Sequence, residues 1–257
     1  MGVLQNSTHK LKKVIIFSYL PSVREELTCH PDPRSLVKKA EFQLYPTSVK
    51  SERRLDGVVH VVGVLSAIFC AVILLMHTAG LVTSEQIFAL ALYSGALVAT
   101  FVASAVYHLS PWHDARPILR RLDHAAIYLK IAGTYTPFVV MLDTILAYLI
   151  LAVVWGLALL GMVLKLFFWR VPGRFGPPLY LLMGWLCLPL VWSIWSMLPG
   201  HVLAFMTAGG LIYTGGVVLY KSKRPYSTAA WHGCVVVASA CFWFAILIGT
   251  LAGVELR

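Results

Sequence analysis

Residues 87–124 read IFALALYSGALVATFVASAVYHLSPWHDARPILRRLDH, and the order of residue types along them decides what kind of chain this is. The first part, 87–108, carries no Asp, Glu, Lys or Arg. At a helical rise of about 1.5 Å per residue it is roughly 33 Å long, enough to cross the hydrocarbon core of a bilayer. It closes with Ser104 and His108, one turn apart, and is broken by Pro111. Arg116, Arg120 and Arg121 follow, and Asp123-His124 opens the next apolar run. An apolar span, a basic loop and a second span is the grammar of a membrane bundle.

The composition agrees. Hydrophobic residues make up 59% of the chain and charged residues 12%, with a mean hydropathy of +0.78. Soluble domains have about 25% charged residues, so a water-soluble fold is excluded. The net charge of +10 lies in the N-terminal segment and a few loops, not on one basic face. We therefore expect no nucleic-acid partner. The five cysteines, Cys29, Cys70, Cys187, Cys234 and Cys241, are odd in number and lack CxxC spacing. They read as small apolar residues rather than a disulfide framework or a thiolate metal site. Residues 1–50 have no long apolar stretch of the secretory type, and pieces such as VIIFSYL are too short to span. They read as a cytoplasmic tail preceding a membrane domain over 51–257.

Seven runs are long enough to cross, near 57–77, 87–108, 123–141, 145–168, 178–198, 202–220 and 228–250. The expected fold is an all-α seven-transmembrane bundle. Lys and Arg gather before the first span, in the second loop, around Lys165, Arg170 and Arg174, and in the sixth loop at Lys221, Lys223 and Arg224. The first, third and fifth loops hold none. The positive-inside rule then puts the N-terminus inside and the C-terminus outside. The small residues Gly209, Gly210, Gly215 and Gly216 suit close packing of the sixth span. Oligomeric state is not legible.

With that orientation, four spans bring polar side chains to one depth at the inner face. His60 lies one turn after Asp56, Ser104 and His108 share a face of the second span, Asp123 opens the third, and His232 enters the seventh one turn after Thr228. Ionisable groups inside spans are costly and usually face the bundle interior. His124, next to Asp123, points about 100° away and is read outside the site. His77 and His201 at outer ends, His113 in a loop, and His9 and His30 in the tail read as solvated. Neutral imidazoles with a carboxylate and no thiolate suit zinc held by nitrogen and oxygen, in a site of three protein ligands plus water. His108 and His232 are the first two ligands. Asp123 is either the third ligand or the general base. Ser104 orients a ligand or polarises a substrate carbonyl. Lys130, two turns past Asp123 and roughly 10 Å deeper, either snorkels or pairs with Asp123.

These residues resemble the hemolysin III family, in the superfamily of the adiponectin and progestin receptors and the alkaline ceramidases. The match runs from about Glu52 to Gly249 through Glu52-x3-Asp56-x3-His60, SAVYH (104–108), LDHAAIYLKIAGTYTPF (122–138), LYLLMGW (179–185), AGGLIYTGGVVLY (208–220) and AAWHG (229–233). The resemblance implies seven helices with the N-terminus inside, and zinc bound by the His of SxxxH and two His of an HxxxH in the last helix. That makes His108 and His232 ligands, with Asp123 and Ser104 alongside. Two positions depart from the pattern: Thr228 replaces the first His of the last-helix pair, which leaves His60 or Asp123 to complete the shell, and Asp56 replaces an Asn.

The expected function is a metal-dependent hydrolase of a lipid amide or ester at the inner leaflet, with membrane lipid as its partner and the bacterial cytoplasmic membrane as its place. A non-catalytic receptor-like or lipid-homeostasis protein is the alternative, favoured by Thr228. A pore-forming cytolysin ranks third, because one lysine does not make an ion pathway.

Overall fold

The computed structural model describes residues 50–112, 114–168, 176–191, 195, 197–222 and 224–255. The tail with Cys29, His9 and His30, and also His113, Arg170, Arg174 and Lys223, lie outside the described residues. Val49–Arg257 forms one compact unit. Among the described residues it is wholly helical, with α1 at Lys50–Thr78, α2 at Ser84–Leu109, α3 at Arg116–Leu142 and α4 at Ile145–Phe167. A short α5 (Gly176–Trp185) and a 3-10 turn (Leu188–Leu190) precede α6 at Gly200–Lys221 and α7 at Ser227–Glu255. Six of these helices, all but α5, are long and apolar enough to cross a membrane.

Turn chemistry sets the ends. Thr83 and Gln86 form a reciprocal capping box at the start of α2. α3 ends where Asp143 takes a left-handed conformation (φ 45°), and Thr144 starts α4 by accepting the Ala147 N–H at 3.2 Å. Arg121 donates to the Leu166 carbonyl at 3.0 Å, supplying positive charge to the C-terminal turn of α4.

The expected fifth span, 178–198, is not one helix. α5 stops at Trp185, four residues before Pro189. A proline ring collides with the carbonyl of the residue four before it and has no N–H to give, so the helix ends where the Trp185 carbonyl would be struck. The break frees carbonyls, and the Tyr135 hydroxyl of α3 bridges two of them, at 2.8 Å from Met183 O and 2.9 Å from Gly184 O. Repair by a neighbouring helix is what lets a broken helix persist at membrane depth.

The helices close into a ring. α3 is the most enclosed and packs on α2, α4, α5 and α7; α6 pairs with α7, and α7 returns to α1. Two of the four α6 glycines do the expected work. A Cβ on Gly209 would stand 2.8 Å from the Phe242 ring and one on Gly216 3.0 Å from Trp231, while Gly210 and Gly215 face open space or a distant ring. The outside is apolar: Leu65, Phe69, Val72 and Met76 form an exposed stripe on α1. The inside holds the polar groups, with Asp56, His60, Asp123, Lys130 and Ser239 buried. This is the reverse of a soluble helix bundle, as lipid as the solvent requires.

Candidate metal centre

The polar residues gather where the N-terminal ends of α1, α3 and α7 meet the C-terminal end of α2. α1 contributes Asp56 and His60, one turn apart and both buried. α2 contributes Ser104 and His108 in its last turns. Pro111 forces the preceding Ser110 into an extended conformation (φ −60°, ψ 134°), which ends the helix just past His108. Arg116, buried at the start of α3, donates to Ser110 O at 2.7 Å and ties that turn down. α7 contributes His232, in its second turn after Ser227.

Asp56 is the hub. One carboxylate oxygen, Oδ2, lies 2.8 Å from His108 Nδ1, and the other, Oδ1, lies 2.7 Å from His232 Nδ1. The Asp56 main-chain oxygen lies 2.7 Å from His60 Nδ1. A carbonyl or carboxylate oxygen can only accept, so all three imidazoles donate through Nδ1–H. In the neutral ring that fixes the tautomer and leaves the lone pair on Nε2. The His60 Nε2 accepts from the Ser104 hydroxyl at 3.2 Å. The three rings form a near-equilateral triangle, with centroids 4.3–4.5 Å apart.

Asp56, His60, His108 and His232 each offer one donor atom within 4.8 Å of the others, so the cluster is able to hold a metal ion. Nitrogen and oxygen donors without thiolate suit zinc and its divalent neighbours. To hold a metal these side chains would have to draw closer together than they stand here. Histidine ligands with their second ring N–H held by a carboxylate or carbonyl are the usual support of such a site. The residues fit the group.

Each expected site residue has a definite place. His108, His232 and His60 come together, and Ser104 touches the cluster through His60. Asp123 is buried within electrostatic reach of His108 and His232 but outside the donor group; its Oδ2 lies 3.4 Å from His124 Nδ1. His124 also donates to the Arg120 carbonyl, away from the cluster. Thr228 is half-buried one turn before His232. His77 and His201 are exposed. Lys130 does neither thing expected of it: its ammonium donates to Ser239 on α7 at 2.6 Å. The residue that sequence reasoning missed is Asp56. Its signal was present in the Asp56-x3-His60 spacing, which places an acid and a histidine on one helical face.

The model of a family described as haemolysin-III related matches residues 49–243, a stretch that includes every residue of this cluster. The chain belongs to the haemolysin-III related family. Hemolysin-3 of Bacillus cereus is 31% identical to this haemolysin-III related protein over 207 residues, covering 80% of the chain and 94% of the relative. The hemolysin-3 homolog of Bacillus subtilis (strain 168) is 32% identical over 194 residues, covering 75% and 91%. A third relative, the monocyte to macrophage differentiation factor of Homo sapiens, is 30% identical over 176 residues, covering 60% and 67%. The protein is thus a multi-pass membrane member of the haemolysin-III related family, with a four-residue cluster able to bind a metal.

Proposed function

We propose that this protein is a metal-dependent hydrolase of a lipid amide or ester, with zinc as its metal, acting at the inner leaflet of the bacterial cytoplasmic membrane. The observation that carries the reading is Asp56 holding His108 and His232 by their Nδ1–H groups and His60 by its main-chain oxygen, which leaves three Nε2 lone pairs. His60, His108 and His232 are then the ligands, and Asp56 is their orienting residue. When bound, the metal supplies Lewis acidity toward a carbonyl and a nucleophile at neutral pH. Asp123, buried beside the cluster but not in it, serves as general base and passes the proton to the leaving amine or alcohol. Ser104, whose hydroxyl now points at His60, turns to the substrate carbonyl and donates to its developing negative charge. The apolar exterior of the helices suits a substrate that comes from the bilayer rather than from water.

The topology goes with this reading. Arg116, Arg120, Arg121, Lys221 and Arg224 stand at the end of the bundle that holds the cluster, and the positive-inside rule supports a cytoplasmic location for that end. On this reading α5 and the 3-10 turn belong to a broken fifth span, which makes seven crossings and a C-terminus outside.

The test is metal content of the full chain purified without added metal, beside His108→Ala and His232→Ala, followed by turnover of a fluorescent N-acyl amide in nanodiscs. About one metal per chain, lost in both variants together with turnover, supports the proposal. A metal-free, folded wild type removes it. Thr228, which stands where the resemblance places a further histidine, favours a second reading: a receptor-like protein whose metal is structural and closed to substrate. Bound metal without turnover of any lipid amide or ester selects that reading.

A further inference from the structure

At the end of the bundle that holds the metal centre, two cations face each other across the seam between α3 and α4. Arg120 lies on α3 three residues before Asp123, about 4.5 Å nearer the helix end. Lys165 lies on α4 two residues before its last, Phe167. Val154, Ala158 and Gly161 of α4 are buried, and Lys165 continues their spacing, so it lies on the face that α4 turns to α3. Two contacts fix the seam: Gly161 leaves room for the Tyr128 ring of α3, and Arg121 donates to the Leu166 carbonyl at 3.0 Å. Arg120 and Lys165 consequently stand within electrostatic reach of each other.

Two phenols join this pair to the centre. Tyr107 of α2 is buried with its ring edge-on to His108 at 4.8 Å, and Tyr220 of α6 packs 5.6 Å from Trp231, the neighbour of His232. Each lies within electrostatic reach of both Asp123 and Arg120. Side chains from α2, α3, α4 and α6 thus line one approach to the centre, with Asp123 at its inner end and two cations at its rim. The rim meets solvent: Arg120 is exposed, Tyr220 is 45% exposed and Lys165 is half-buried. A positive rim over a negative floor sorts ligands by charge. Arg120 and Lys165 repel each other, and an anion between them replaces that repulsion with two attractions. The carboxylates of Asp56 and Asp123 keep the same anion from going deeper.

We infer that Arg120 and Lys165 form a headgroup site for the phosphate of an anionic phospholipid. A guanidinium and an ammonium are the two side-chain groups suited to phosphate oxygens, the first by a forked pair of N–H donors and the second as a point charge. A zwitterionic headgroup brings its own ammonium to a rim that already carries two cations, so a net negative headgroup is selected. A free phosphate gains nothing from the bilayer, whereas a lipid is held by its acyl chains as well. Binding at the rim is independent of the reaction. That the bound lipid is also the substrate rests on the hydrolase proposal: the acyl carbonyls of a glycerophospholipid are a few bonds from its phosphate, and Asp123 lies one turn below Arg120.

The probes are phosphatidylglycerol and phosphatidylcholine with the same pyrene-labelled acyl chain, each a minor component of phosphatidylcholine nanodiscs that hold the full chain. Energy transfer from the tryptophans reads binding. The wild type binds the phosphatidylglycerol probe at least about tenfold more tightly, the worth of one charge-assisted hydrogen bond. Arg120→Gln with Lys165→Gln abolishes that preference, and Arg120→Lys with Lys165→Arg, which keeps both charges, retains most of it. Should the first pair fail to fold, Arg120→Gln alone, at an exposed site, lowers the preference about fivefold. Arg54→Gln with Arg224→Gln removes two exposed cations from the same end of the bundle and leaves the preference in place. Equal binding of the two probes by the wild type overturns the proposal, and so does a preference that survives the loss of Arg120 and Lys165. Equal loss in the Arg54 and Arg224 pair shows diffuse surface charge only and overturns it too. Inorganic phosphate at matched ionic strength leaves the lipid bound; displacement would assign the rim to a free anion instead. The titration is repeated in His108→Ala after chelation. A preference that persists there supports the headgroup site whatever becomes of metal or turnover, and one that disappears puts the phosphate on the metal and overturns the assignment to Arg120 and Lys165.

Discussion

Replacing Asp56 by alanine takes away both acceptors of the His108 and His232 Nδ1–H groups, at 2.8 and 2.7 Å, while the main-chain bond to His60 remains. Charge-assisted hydrogen bonds of this kind are worth about 1.5–3 kcal/mol each when a buried partner is left behind. Part of that is recovered when the freed rings find water or each other. The expected loss of metal affinity is therefore about 10- to 100-fold, the range for carboxylates that orient histidine ligands. Asp56→Asn is the sharper variant. Its amide oxygen accepts from one imidazole, but its NH2 faces the N–H of the other, so that ring must turn or shift its proton to Nε2 and lose the lone pair a metal needs. Competition titration of zinc against a chromophoric chelator, with X-ray absorption of the loaded protein, measures both effects. Asp56→Ala should still load at excess zinc, with a nitrogen-dominated first shell. If it loses zinc as completely as His108→Ala, Asp56 is itself a ligand and the orienting role is refuted. Wild-type affinity in both Asp56 variants would refute the hub altogether.

Further outcomes follow from the packing. Tyr135→Phe removes the hydroxyl that bridges the Met183 and Gly184 carbonyls at the broken helix, and should cost about 1–3 kcal/mol in detergent unfolding; the unchanged stability of Tyr148→Phe, at an exposed site, is the control. Gly209→Ala drives a Cβ to 2.8 Å from Phe242 and should destabilise by about 1–3 kcal/mol, whereas Gly215→Ala meets nothing and should be neutral or stabilising by about 0.5–1 kcal/mol. Only Gly209→Ala should lower the unfolding temperature. Thr228→His adds an imidazole one turn before His232 and should tighten zinc binding in the same chelator competition; weaker binding would mean that the centre has no room for a further donor.

Much of this molecule is legible in the sequence, because a bilayer leaves few choices. A long run without charge, such as 87–108, has to satisfy its backbone internally and so has to be a helix, and its ends follow from residues as local as Thr83 and Pro111. Helical period alone puts Ser104 with His108 and Asp56 with His60. The gathering of His60, His108 and His232 could be foreseen from depth, since depth is read along one coordinate. What the sequence leaves open is how each helix is turned about its own axis and which neighbour it meets, because those depend on packing between segments far apart in the chain. That rotation makes Asp56 the common acceptor of two histidines and leaves Asp123 beside the centre. It also turns Lys130 to Ser239 on α7, 109 residues away, instead of to Asp123 on its own helix. The continuous run of 178–198 likewise reads as one span, and Pro189 breaks it because a proline's clash with the carbonyl four residues back is tolerated only where a neighbour, here Tyr135, repairs the ends.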